Sequence, residues 1–137
     1  MLEDMDQRQL EQVCEEYGLD LVVLFGSRAR GEGRPDSDYD VGVRRREGVV
    51  PAKDFLKLGY HLSRALGVDD VDLVDLRRAS PLLRYQVAKV GKVLYEARPG
   101  LFTRFHVLSW KLYQDERYDL RRFDDVYLER SLQRLLT

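Results

Sequence analysis

One cysteine, Cys14, is all the thiol the chain has, so no intrachain disulfide can form in its 137 residues. That usage fits a reducing compartment, and the cytoplasm is the expected location. Long apolar runs are missing as well. None approaches the ~20 residues that a membrane-spanning helix needs, so no membrane association is expected. The first residues, Met1 to Asp6, are acidic and mixed, which excludes a secretory signal peptide. Neither sign of charge dominates: 23 Lys and Arg face 24 Asp and Glu, for a net charge of −1. A broad cationic surface for nucleic acid is therefore excluded, and no direct nucleic-acid binding is expected. Repeats and low-complexity tracts are absent too. The length argues for one domain over 1–137.

What the chain does have is concentrated between residues 21 and 43. The apolar run Leu21 to Phe25 reads as a buried strand and stops at Gly26-Ser27. Ten residues later comes Ser37-Asp38-Tyr39-Asp40-Val41-Gly42-Val43. Strand side chains alternate between faces, so Asp38 and Asp40 share one face while Tyr39, Val41 and Val43 share the other. Two carboxylates side by side repel, and a hard divalent cation offsets that cost. Mg²⁺ takes one or two carboxylates together with substrate phosphate oxygens and water. Gly26 allows a sharp turn and close backbone approach. Ser27 can cap a helical turn or donate its hydroxyl to an anion. Arg28 and Arg30 add cationic donors. A metal platform beside a phosphate cradle points to nucleoside triphosphate chemistry.

The remaining pattern supplies a scaffold. A helix is expected over 6–17, with Asp6 as cap and Gly18 as stop. Cys14 falls on its apolar stripe as a small core residue. A helix over 51–66 carries Phe55, Leu58, Leu62 and Leu66, with His61 at its boundary. Val71 to Leu76 reads as a strand. Its two acids, Asp72 and Asp75, fall on opposite faces, so only one can join Asp38 and Asp40. Parity does not choose between them, because Val74 and Leu76 share the face of Asp72. Ser80-Pro81 opens a helix that Gly91 stops, and Lys92 to Tyr95 reads as a short strand. Arg44-Arg45-Arg46 reads as a solvated strand exit. Two further helices are expected, over 101–113 and 124–136, with a charged link at 114–122. The first would bury Phe102, Phe105, Leu108 and Leu112. The aromatics of this third, Trp110 and Tyr113 among them, read mainly as packing, with a protein-docking face as the alternative. The order implies an α/β (α+β) fold: a small mixed sheet with helices on one face plus C-terminal helices. A catalytic core over 1–97 would carry a helical extension over 98–137.

Gly-Ser with the spaced Asp-x-Asp resembles the signature of the DNA polymerase β-like nucleotidyltransferases. The longer string GSRARGEGRPDSDYDVGV resembles the minimal nucleotidyltransferases, the MntA-type antitoxins that pair with HEPN-domain toxins. The string VDLVDLRRASPLLRYQVAKVGKVLYE is similar to that group too. The resemblance implies the polymerase β-like fold, two Mg²⁺ ions on Asp38, Asp40 and Asp72, and ATP as substrate. It implies transfer of AMP to a tyrosine of a cognate HEPN toxin RNase, with Gly26, Ser27, Arg28 and Arg30 toward the nucleotide. Two other readings remain: an antitoxin that acts by steric occlusion without catalysis, and a nucleotidyltransferase for small molecules such as aminoglycosides.

Overall fold

A computed structural model describes residues 2–29, 31 and 38–123, with backbone alone for residues 27, 28 and 116–123. Four strands form one sheet in the order β3-β2-β1-β4. The strands are β1 (Leu19–Phe25), β2 (Tyr39–Arg45), β3 (Val71–Asp75) and β4 (Lys92–Glu96). β1 pairs antiparallel with β2 and β4, while β2 and β3 run parallel. A parallel pair needs a crossover. The crossover is α3 (Ala52–Leu66).

β1 is apolar because both of its faces are covered. Leu19, Val22 and Leu24 face a cluster with Leu10, Val13 and Cys14 of α1 (Gln7–Tyr17) and Leu58, Leu62 and Leu66 of α3. Leu21 and Val23 face a second cluster with Leu76, with Val87 of α4 (Pro81–Val90), and with Phe105 of α5 (Leu101–Phe123). The expected caps are in place. Asp6 accepts from the Gln9 amide and Ser80 from the Leu83 amide, and Gly18 and Gly67 close α1 and α3 in the left-handed region. Burial pushes the Cys14 thiol up to about 12, as suits an inert core residue. Among the described residues, no helix is long and apolar enough to cross a membrane.

Three expectations are corrected. The C-terminal third has no break at 114–122, because α5 continues from Leu101 to Phe123; the helix expected over 124–136 lies outside the described residues. The buried stripe of α5 is Leu101, Phe105 and Ser109, whereas Leu108 and Leu112 are 50% and 40% exposed. And the exit of β2 is not simply solvated, since Arg44 forms a two-pronged ion pair with the buried carboxylate of Asp20. α4 and α5 also cover part of the sheet face opposite α1 and α3, and this decides where the open face lies.

Asp75 is a buried staple. Its Oδ2 accepts from the Val50 amide at 2.7 Å and its Oδ1 from the Arg77 amide at 3.0 Å. It thereby ties the end of β3 to the segment that leads into α3. Asp75→Ala leaves the buried Val50 amide without an acceptor, a loss of about 3 kcal/mol. We expect a fall of about 10 °C in melting temperature by calorimetry, and a smaller fall for Asp75→Asn, which keeps one acceptor oxygen.

Candidate active site

β2 and β3 set the site. In their parallel register Asp40 lies opposite Asp72, and Gly42 opposite Val74. Asp40, Gly42, Asp72 and Val74 thus share one face of the sheet. At one end of that face α4 and α5 cover it: Val74 and Leu76 belong to their apolar cluster, and the Leu76 side chain lies directly over Gly42. At the other end the cover stops, and Asp72 is exposed. One face is therefore apolar at one end and acidic at the other. This answers the question that strand parity left open, and it puts Asp72 beside Asp40. Asp75 faces the α1–α3 side, buried in its own hydrogen bonds.

The carboxyl groups of Asp40 and Asp72 share a hydrogen bond. The Asp40 carboxyl is held above the usual carboxylate range, first by partial burial, then by the charge of Asp72 and that hydrogen bond, and last by the charge of Asp38. Asp38 itself stands exposed just before β2. Among the described residues, no three His, Cys, Asp or Glu side chains are gathered tightly enough to hold a metal ion by themselves. What is assembled is a pair of neighbouring carboxyl groups, with a third acid at the mouth.

Gly26 completes the arrangement from β1. Phe25 pairs with Asp40 across the sheet, so the next residue turns beneath that carboxyl. Gly26 adopts φ +76°, and a Cβ there would lie 3.0 Å from Asp40 Cγ and closer still to Oδ2. The sequence assigned Gly26 to making room for phosphate. The structure adds a nearer tenant for that room, the Asp40 carboxylate. The signal was the position of Gly26 at the strand end, but only the register shows which acid lies above it. Ser27 and Arg28 lie in α2 (Gly26–Ala29), which Ala29 anchors in the core. Arg30 and Ser37 lie outside the described residues.

The donor set fits a hard divalent cation. Two neighbouring carboxylates repel each other, a cation between them offsets that repulsion, and their open side leaves positions for phosphate oxygens and water. Carboxylates so placed beside a strand-to-helix turn suit the transfer of a nucleotidyl group. Comparison with known proteins agrees. The family described as Polymerase beta, Nucleotidyltransferase matches residues 8–99. The chain belongs to that family of nucleotidyltransferases. The protein adenylyltransferase MntA of Shewanella oneidensis is 40% identical over 110 residues, 79% of this chain and 76% of that protein. A chain in the crystal structure of a toxin–antitoxin with AMP-PNP superimposes with a TM-score of 0.69 at 27% identity, covering 97% of this chain and 100% of that one. A chain in the complex of tri-AMPylated Shewanella oneidensis HEPN toxin with MNT antitoxin superimposes with a TM-score of 0.62 at 26% identity, covering 96% of each.

Proposed function

We propose that the chain is an antitoxin that transfers AMP from ATP to a tyrosine hydroxyl of a cognate HEPN-domain toxin and so silences it. The observation that carries this reading is the Asp40–Asp72 pair, brought together by the β2–β3 register with Gly26 beneath it. The named activity of the MntA relative and the toxin complexes supply the direction.

Asp40 and Asp72, with Asp38 at the mouth, are the residues that would hold Mg²⁺, two ions in all. Bound there, the ions would neutralise charge on the triphosphate and polarise the attacking oxygen. The chain's own groups do the rest. The tyrosine oxygen bonds to the α-phosphorus as the bond to the pyrophosphate oxygen breaks, and pyrophosphate leaves. Asp72, on the exposed side of the pair, receives the hydroxyl proton. Gly26 leaves Asp40 its position, and Ser27, Arg28 and Arg30 contact the phosphates. Use of ATP against a partner RNase places this activity in the cytoplasm.

The test is incubation of the purified chain with α-labelled ATP, Mg²⁺ and a cognate HEPN toxin. Label is expected on the toxin, and its loss is expected when the acceptor tyrosine is changed to Phe. Label in lysate small molecules with none on the toxin would refute the reading. So would full neutralisation of the toxin by the Asp38→Asn/Asp40→Asn double variant, which would leave steric occlusion.

A further inference from the structure

Away from the carboxylates, α4 and α5 enclose a cavity of about 390 Å³ above the far end of the sheet. Its apolar lining is Leu76, Phe105, Leu108 and Leu112, and its polar wall includes Arg44 and Arg84. Arg44 is satisfied by Asp20. Arg84 is not: its Nη2 donates to the Arg77 carbonyl at 2.8 Å, but its Nε is shut off from solvent and has no acceptor among the described residues. A shielded guanidinium N–H without a partner is unusual enough to need a cause. Among the described residues, no acidic side chain lines the cavity to supply one. Two leucines on its rim, Leu108 and Leu112, are half exposed, though a helix that merely covers a sheet would turn such residues inward.

We propose that this groove seats a segment of the toxin that carries a carboxylate between aliphatic side chains. The carboxylate pairs with the Arg84 guanidinium in the groove wall, and the aliphatic groups lie against Leu108 and Leu112. The inference rests on the antitoxin reading above and names the surface by which that partner is held. Charge complementarity selects the occupant: arginine in the wall, no acid among the described residues to answer it, and an apolar floor. The groove lies at the end of the α4–α5 face opposite Asp40 and Asp72, so a docked toxin leaves the catalytic end open for the tyrosine.

Two measurements on the full chain test this. Leu108→Glu changes an exposed residue and leaves the fold intact; it is expected to raise the Kd for the toxin at least tenfold in titration calorimetry, with ATP binding unchanged. Arg84→Glu is expected to do the same, and a toxin Asp or Glu changed to Lys should restore its binding. In the second measurement Leu108→Cys carries a photocrosslinker, Cys14 being buried and unreactive. Crosslinks are expected into the toxin. Unchanged Kd in the Leu108 variant overturns the proposal. Crosslinks into residues 124–137 of the same chain, or into a second copy, also overturn it, since the groove would then be filled already. If the unaltered chain neither binds nor labels the toxin, the antitoxin reading itself fails. If it does both and only the groove variants are silent, the groove alone is refuted.

Discussion

Asp40→Asn lowers AMP transfer by at least about a thousandfold and, in the absence of metal, raises the melting temperature. Both effects have one source. Asp40 sits against Asp72 in the β2–β3 register, partly buried, with its carboxyl held above the usual range. An amide keeps the shape and the hydrogen bond to Asp72 but provides no negative charge for a cation. Loss of several kcal/mol of charge stabilisation corresponds to about three or more powers of ten in rate. The stability effect follows from the sign of the shift. The folded carboxyl holds its proton more tightly than the unfolded one, so its contribution is most favourable below the ordinary carboxylate value. It is lost as pH rises through the raised folded value and stays lost at neutral pH. Asn does not titrate, so the metal-free variant should melt higher at pH 7, with the difference shrinking toward acid. Activity of the unaltered protein should fall on the acid side at a pH above that of an ordinary aspartate. Labelled-ATP assays and calorimetry with and without chelator, across pH, check both halves. A metal-free variant that melts lower than the parent at pH 7 would contradict the account.

The second large effect is expected at Gly26. Gly26→Ala pairs two faults. An alanine at φ +76° is strained by about 1 kcal/mol, and its methyl would enter the space of the Asp40 carboxyl. Because that carboxyl is at the exposed end of the sheet face, it can swing away, so the fold survives while the acid leaves its place. We expect a loss of at least about a hundredfold in transfer, with a shift in Mg²⁺ dependence toward higher concentration. ATP affinity measured without metal should change much less. Were Gly26 important only to the phosphates, the metal-free ATP affinity would fall in step with the rate.

Sequence alone shows the parts of this site and not their contacts. Gly26-Ser27 and the alternation through Asp38, Asp40, Val41 and Val43 are local, and they locate the turn and the acidic strand. The caps at Asp6 and Ser80 are likewise local chemistry, and the structure has them in place. The choice of Asp72 over Asp75 is different. It depends on which end of one sheet face α4 and α5 cover, a long-range property that resemblance could supply but spacing could not. Gly26 illustrates the same limit, because its neighbour Asp40 comes from another strand. The reading failed where charge was taken for solvent exposure: Arg44 sits in a run of arginines yet pairs inside with Asp20. It failed again in α5, where the polar stretch after Tyr113 looked like a link. Residues such as Gln114, Glu116 and Arg117 sustain a helix well without an apolar stripe.

The meeting of Asp40 with Asp72 also sets a clock for synthesis. About thirty residues, α3 among them, separate the two acids along the chain. At translation speeds of roughly 5–20 residues per second, the first acid leaves the ribosome seconds before the second. The nascent chain therefore has its nucleotide-side turn and lacks its reactive pair until β3 has emerged and docked beside β2. On the proposed reading, a cell would face a brief interval in which the toxin's opponent exists but cannot yet act.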